Sequence, residues 1–138
     1  MLNTQKSDFA KVPLFVIFNR TTIEQKKDSI YLSSGNVDQN GHPTPVAQVK
    51  YSLDGKLTER VFKDTLNLVS SFKWSDDHKT LIKNQTYSPI NKLQEPIKKV
   101  QETWRLSDDG KELIIERKFE SLNQTEVSYA IKAVYDKQ

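Results

Sequence analysis

One turn phrase occurs three times in this chain, each time between segments that alternate apolar and polar residues. The copies span residues 51–56 (YSLDGK), 74–79 (WSDDHK) and 106–111 (LSDDGK). Asp-Gly between alternating segments predicts a hairpin tip, because the turn needs a positive φ that glycine adopts freely. In the middle copy His78 takes the glycine position, and histidine is enriched in that conformation among non-glycine residues. We therefore expect three hairpin tips and antiparallel strands around them.

Alternation with a period of two marks the strands between the turns. One face of the clearest internal segment carries Leu66, Leu68, Phe72 and Trp74, and one face of the last segment carries Val127, Tyr129, Ile131, Ala133 and Tyr135. We predict eight strands, over residues 14–25, 28–34, 46–53, 65–75, 79–88, 97–107, 111–121 and 126–135. Residues 35–45 and 89–96 contain prolines and are predicted loops. The chain is therefore expected to form one all-β domain over residues 1–138, an antiparallel up-and-down meander.

The third turn also predicts a register. If Asp109 and Gly110 form a two-residue loop, the opposed pairs are Leu106 with Leu113, Trp104 with Ile115, Glu102 with Arg117 and Val100 with Phe119. A slip of one residue would set Leu106 against Glu112 and lose the match of the apolar faces. The preferred register places an opposite-charge pair, Glu102 and Arg117, within an otherwise apolar face. A bulged three-residue turn is the alternative.

Composition narrows the function classes. The 138 residues are 36% hydrophobic, carry a net charge of +3 and include no cysteine. The basic residues are interspersed with acidic ones, whereas nucleic-acid binding favours a clustered basic patch. No apolar run approaches the roughly 20 residues of a membrane-spanning helix. We therefore expect neither nucleic-acid binding nor a membrane span, and no disulfide framework or cysteine metal site.

The sequence offers little for catalysis or metal binding. His42 in a proline-rich loop and His78 at a hairpin tip are interpreted as turn residues, and neither has a second histidine at ligand spacing. The pairs Asp76-Asp77 and Asp108-Asp109 lack the twelve-residue loop of a calcium site, and they need no explanation beyond turn formation. No glycine-rich phosphate loop and no Gly-x-Ser-x-Gly elbow occurs. We expect no enzymatic activity, no metal and no cofactor.

Six short motifs resemble a group of small secreted bacterial proteins of lipocalin-like type. They lie at residues 2–9, 23–30, 53–56, 74–79, 104–111 and 134–137. The Gly-x-Trp that those proteins carry just before the position of Leu2 is absent, and His78 replaces a glycine. The resemblance implies an up-and-down barrel of the lipocalin and avidin kind, which closes on itself and can be filled by side chains or hold one small ligand. An open or flattened meander is the alternative.

The cellular location follows from the same resemblance. Residues 2–7 (LNTQKS) follow Met1 without the apolar stretch of a signal peptide. A cytosolic protein and a chain from which a leader has been removed both fit this start. The resemblance to secreted proteins implies the second, so we expect an extracytoplasmic protein, periplasmic or secreted.

Glu102 and Arg117 are the charges that alternation points inward. They either line a cavity and orient a polar ligand group, or form a buried structural pair, with Arg117 stacked on Trp104 as a further structural possibility. The candidate ligand-binding set is Trp74, Trp104, Glu102, Arg117, Phe119 and Tyr129, although core packing explains the aromatic residues equally well.

Two hypotheses of function follow. The first is a non-enzymatic barrel that binds a small apolar or amphipathic molecule. The second is a module with a filled core that contacts another protein or an envelope polymer. The oligomeric state does not follow from the sequence.

Overall fold

The structure, a computed structural model, describes residues 1–9, 20–35, 42, 44 and 48–137, and every structural statement below refers to these residues. Their secondary structure consists of β-strands: β1 (Arg20–Lys26), β2 (Ser29–Gly35), β3 (Val49–Ser52), β4 (Thr58–Phe62), β5 (Leu66–Trp74), β6 (Leu81–Pro89), β7 (Lys98–Leu106), β8 (Glu112–Ser121) and β9 (Tyr129–Asp136). In this part of the chain no helix is long and apolar enough to cross a membrane. The all-β prediction is confirmed.

The nine strands form two antiparallel sheets in chain order. One sheet has the order β1-β2-β3 and the other β4-β5-β6-β7-β8-β9. Neighbouring strands pair as consecutive hairpins, as an up-and-down meander requires, but no pairing among the described residues joins β3 to β4. Strand pairing within the described residues is therefore that of two sheets, and it does not by itself show a closed barrel.

The strand between Thr58 and Phe62 is the element that the eight-strand prediction missed. It is an edge strand of the larger sheet, and Val61 on it is 61% exposed. Without a buried face its residues show no apolar alternation, which is the signal used to predict strands. Of the strand predicted at 14–25, residues 14–19 lie outside the described part of the chain, as do residues 46 and 47 of the third predicted strand. The predicted 35–45 loop also lies largely outside it.

Two copies of the repeated turn phrase build the same hairpin. Ser107 Oγ donates to Asp109 Oδ1 at 2.6 Å and accepts from the Glu112 amide at 3.0 Å. Ser75 makes the equivalent bonds with Asp77 and the Thr80 amide, at 2.6 and 3.0 Å. Gly110 has φ 69° and His78 has φ 54°. The prediction that His78 replaces glycine at a left-handed position is confirmed.

The first copy of the phrase is not a hairpin tip, which corrects our expectation. Ser52 Oγ still donates to Asp54 Oδ1 at 2.7 Å, and Gly55 has φ 83°. The Gly55 amide, however, donates to the carbonyl of Phe72 on β5 at 2.9 Å, and Asp54 forms an isolated bridge with Lys73. The turn therefore carries the chain from the smaller sheet onto the larger one, instead of returning it to its own sheet.

A fourth turn of this type went unrecognised in the sequence. Ser121 Oγ lies 3.3 Å from Asn123 Oδ1, which accepts from the Thr125 amide at 3.3 Å. Gln124 takes the left-handed position with φ 59°. Asparagine in place of aspartate and glutamine in place of glycine hid the motif.

The predicted register of β7 and β8 is confirmed at all four pairs. The turn itself is wider than the two- and three-residue alternatives, because the Ser107 amide still donates to the Glu112 carbonyl and residues 108–111 form the loop. Leu106, at the end of the sheet, is 60% exposed. In the last segment Val127 is 85% exposed and precedes β9, so the apolar face there begins at Tyr129.

The two sheets share a hydrophobic core. Ile30, Leu32, Tyr51 and Leu53 from the smaller sheet and its exit turn pack with buried residues of β5 to β9. Phe72 lies at the centre, fully buried, with its ring centroid 4.8 Å from that of Tyr51 and 5.5 Å from that of Trp104. A second cluster, formed by Leu68, Tyr87, Val100 and Phe119, lies on the larger sheet.

The first nine residues add to the free side of β9. Asp8 exchanges two backbone hydrogen bonds with Lys132, at 2.8 and 2.7 Å, and the Asn3 amide donates to the Val134 carbonyl at 2.7 Å. Lys6 forms an ion pair with Glu112. This segment, residues 1–9, covers backbone groups that an edge strand would otherwise expose.

Candidate functional site

A row of inward side chains crosses the larger sheet from β5 to β9. Strand register sets Phe72 opposite Lys83, Lys83 opposite Glu102, Glu102 opposite Arg117 and Arg117 opposite Ile131. Opposed residues in an antiparallel pair point to the same face, so all five face the smaller sheet. The row places an anion between two cations on the face that packs against the smaller sheet.

Glu102 is the shared partner of three groups. Its Oε1 accepts from the Arg117 guanidinium at 3.2 Å, and its Oε2 accepts from Trp104 Nε1 at 2.9 Å and lies 3.4 Å from Lys83 Nζ. The residue is 5% exposed. Burial acts to raise its pKa, but Lys83, Arg117 and the Trp104 hydrogen bond together hold the pKa below its ordinary value. Glu102 is therefore a buried carboxylate anion at neutral pH.

The two cations differ in their surroundings. Lys83 Nζ lies 5.6 Å from the ring centroid of Phe72 and 5.9 Å from that of Trp104, within the range of cation–π attraction. Arg117 Nε is buried and has no hydrogen-bond partner among the described residues. The side chains of Lys83 and Arg117 are 13% and 24% exposed, against 7% for that of Glu102. Both cations thus lie closer to solvent than the anion that they share.

These three charges line a cavity between the two sheets with a volume of about 90 Å³. Leu32, Ile115 and Ile131 form apolar parts of its wall. From the smaller sheet come the hydroxyl groups of Thr21 and Ser34, whose oxygens are 3.3 Å apart. The cavity therefore has an ionic side on the larger sheet, apolar walls and a hydroxyl-bearing side on the smaller sheet.

Tyr135 brings a further polar atom to the cavity. Burial raises its pKa to about 12, against the opposing effect of its hydrogen bond with Thr21. The phenol is therefore neutral at physiological pH and able to donate or accept a hydrogen bond.

The structure brings together three of the six candidate residues. Glu102, Arg117 and Trp104 all line the cavity. Trp74 packs against the main core cluster without lining the cavity.

Phe119 and Tyr129 lie elsewhere on the same face of the larger sheet. Their rings stack with centroids 4.9 Å apart and an interplanar angle of 11°. Phe119 belongs to the second core cluster, and Tyr129 packs against both clusters without lining the cavity. Their contacts are those of core packing.

Lys83 is the charged residue of the site that sequence reasoning missed. On β6 the positions Leu81, Lys83, Gln85 and Tyr87 alternate inward, and Leu81 and Tyr87 at the two ends are apolar or aromatic. That alternation was the available signal. This signal was weak because the two middle positions are polar, and polar residues at inward positions interrupt the apolar alternation that predicts a strand.

Among the described residues no group of three or more His, Asp or Glu side chains is arranged to hold a metal ion. His78 lies at its turn, exposed and away from the cavity. Comparison of the chain with protein-family models, with curated proteins and with solved structures found no match.

Proposed function

We propose that this protein is a non-enzymatic binding protein that holds a small amphipathic molecule between its two sheets. The observation that carries the proposal is the cavity, which joins the ion row of Lys83, Glu102 and Arg117 to apolar walls. A purely structural core would gain more from apolar residues than from three desolvated charges, since burying an ion pair often costs more than it returns. Retaining the charges at a cavity supports a role in recognition.

The size of the cavity limits the ligand. Pockets for drug-sized molecules measure roughly 300–1,000 Å³, whereas this cavity measures about 90 Å³. The cavity therefore has room only for a small ligand or for part of a larger one. Small organic molecules with one polar end are the class that fits best.

A binding role is favoured over catalysis by the state of Glu102, the buried acid of the cavity. Both oxygens of Glu102 are engaged by neighbours, and its lowered pKa makes it a poor proton acceptor near neutral pH. The carboxylate then serves to hold Lys83 and Arg117 in place. The wider assignment, a lipocalin-like protein outside the cytoplasm, rests on the sequence resemblance and on the meander of hairpins.

The test is the substitution Ser34→Leu, which fills part of the cavity from the smaller sheet. Ser34 lines the cavity, whereas its neighbour Ser33 points to the opposite face of β2. The control Ser33→Leu therefore makes the same chemical change outside the cavity. Native mass spectrometry and a thermal-shift screen with short-chain acids, alcohols and amines would be run on the parent protein and both variants.

We expect ligand-dependent stabilisation in the parent protein and in Ser33→Leu, and its loss in Ser34→Leu, because ligand that binds only the folded state raises the melting temperature. Equal stabilisation of all three proteins would show that the compounds bind outside the cavity. If no compound stabilises the parent protein, the interior residues serve core packing alone. The second hypothesis, a module that contacts another protein or an envelope polymer, is then favoured.

A further inference from the structure

We infer that the polar end of the ligand is a single carboxylate group, bound by Lys83 and Arg117. This inference rests on the proposed binding function and names the chemistry of its ligand. It follows from three properties of the cavity: its charge balance, its unused hydrogen-bonding capacity and the relative exposure of its charged groups.

The charge balance is the first property. Among the described residues that line the cavity, the ionised side chains are Lys83, Arg117 and Glu102. Two cations and one anion give a local charge of +1. A desolvated excess charge is costly, and an opposite charge placed close to it offsets that cost. A ligand with one negative charge neutralises the site, whereas a neutral or cationic ligand does not.

The hydrogen-bonding capacity points the same way. The oxygens of Glu102 accept from Arg117 and Trp104 and contact Lys83. An ammonium group has three donors and a guanidinium has five, and neither group can accept. Beyond the bonds to Glu102, the charged side of the cavity therefore offers donors, so the matching ligand group is rich in acceptors. An oxyanion has that property.

The two cations are also more exposed than the anion. The cation side chains, 13% and 24% exposed, are more accessible than the 7% exposed side chain of Glu102. Glu102 also lines the cavity, but it lies between Lys83 and Arg117, and these two cations offset its repulsion of a bound anion. The hydroxyl groups of Thr21 and Ser34 complete the polar lining from the other sheet.

Among oxyanions a carboxylate fits better than a phosphate. A carboxylate carries one negative charge and balances the local +1, whereas a phosphate monoester carries close to two at neutral pH and would leave a buried negative excess. A carboxylate is planar and matches the planar guanidinium of Arg117. It is also the smaller group, which suits a cavity of about 90 Å³.

The experiment compares four ligands that share one tail: butyrate, butan-1-ol, butylamine and butyl phosphate. Dissociation constants would be measured at pH 7 and constant ionic strength from chemical-shift changes in NMR titrations. We expect butyrate to bind at least about tenfold more tightly than butan-1-ol, which corresponds to 1.4 kcal/mol, and butylamine to bind most weakly.

The outcomes separate the two proposals. If butan-1-ol binds as tightly as butyrate, the cavity binds amphipathic molecules but the carboxylate inference is wrong. If butyl phosphate binds most tightly, the anion site is real and its assignment to a carboxylate is wrong. If none of the four binds, the binding function itself is refuted.

A pair of variants locates the effect. Lys83→Gln removes one cation from the cavity, and Lys118→Gln removes one from the exposed outer face of β8. We expect Lys83→Gln to weaken butyrate binding about tenfold while leaving butan-1-ol binding unchanged, and Lys118→Gln to change neither. Equal weakening of both ligands in Lys83→Gln would indicate a structural role and overturn the assignment. Arg117→Gln, expected to show the same selectivity for butyrate, provides the test if Lys83→Gln does not fold.

Discussion

The sharpest test of the ion row is the substitution Glu102→Gln. It keeps the shape of the side chain and removes the charge that Lys83 and Arg117 share. Glu102 contacts three groups, whereas Lys83 and Arg117 each make one ion pair with it. Removing the charge of Glu102 therefore leaves both cations without their anionic partner.

The magnitude follows from burial. Removing one member of a buried ion pair costs roughly 3–5 kcal/mol. The two cation side chains keep 13% and 24% of their exposure, so solvent compensates part of the loss. We expect the lower end of the range, about 3 kcal/mol in the free energy of unfolding. In a domain of this size that corresponds to a fall in melting temperature on the order of 10 °C.

The assay is urea denaturation followed by tryptophan fluorescence, with Glu116→Gln as control. Glu116 is exposed on the outer face of β8, one residue from Arg117, and its substitution should stay within about 0.5 kcal/mol. If Glu102→Gln lowers stability by no more than the control does, the reasoning about a shared buried anion is refuted.

The difference between the parent protein and Glu102→Gln should also depend on pH. The pKa of Glu102 is lower in the folded protein than in the unfolded chain, where it is about 4.3. The stabilisation is therefore fully present above that pH and is lost as the pH falls through the folded pKa. The difference in free energy of unfolding between the two proteins should be constant near neutral pH and should fall towards zero in acid. A difference that grows in acid would contradict the assigned direction of the pKa shift.

Four further substitutions test the core and the turns. Phe72→Ala opens a cavity at a fully buried position and should cost about 3–5 kcal/mol by urea denaturation; a cost below about 1 kcal/mol would show that the two sheets are not packed around this ring. His78→Gly removes a side chain at φ 54° and should raise the melting temperature slightly. Gly110→Ala, at φ 69°, should lower the melting temperature by backbone strain alone, since the added Cβ would meet no atom within 4 Å. Changes of the opposite sign in calorimetry would refute the left-handed assignment of these two positions. Ser107→Ala removes the hydroxyl that joins Asp109 to the Glu112 amide and should cost about 1 kcal/mol by thermal denaturation, whereas no change would show that water replaces it.

The sequence predicted pairing where two local signals coincide. At β7 and β8 a recognisable turn and two alternating segments specify the same register, which places Glu102 opposite Arg117. The division into two sheets was not predicted because the first copy of the turn phrase has the same local residues as a hairpin tip, including the Ser52–Asp54 hydrogen bond. Only the long-range hydrogen bond from the Gly55 amide to the Phe72 carbonyl shows that the chain crosses to the other sheet.

The same limit applied to the site residues: those on the β7–β8 hairpin were predicted, and those on other strands were not. Lys83 lies on β6, and residues 90–97 separate β6 from β7 by a connection too irregular to give a register. Thr21 and Ser34 reach the cavity only because the smaller sheet packs over the larger one. That arrangement depends on contacts between residues far apart in the chain, such as Thr21 with Tyr135, and no local pattern encodes them.

The pairing of residues 1–9 with β9 has a consequence for the order in which the chain assembles. The hydrogen bond between the Met1 amine and the Asp136 carbonyl joins residues 135 positions apart. The hairpins from β4 to β9 close short loops, whereas this contact closes a loop of 135 positions and carries a larger entropic cost. On the ribosome the first nine residues emerge long before their partner strand and must wait unpaired until β9 has been made. We therefore expect this pairing to form last in folding and to open first, so that the amides of Asn3 and Asp8 exchange with solvent before those of the central strands.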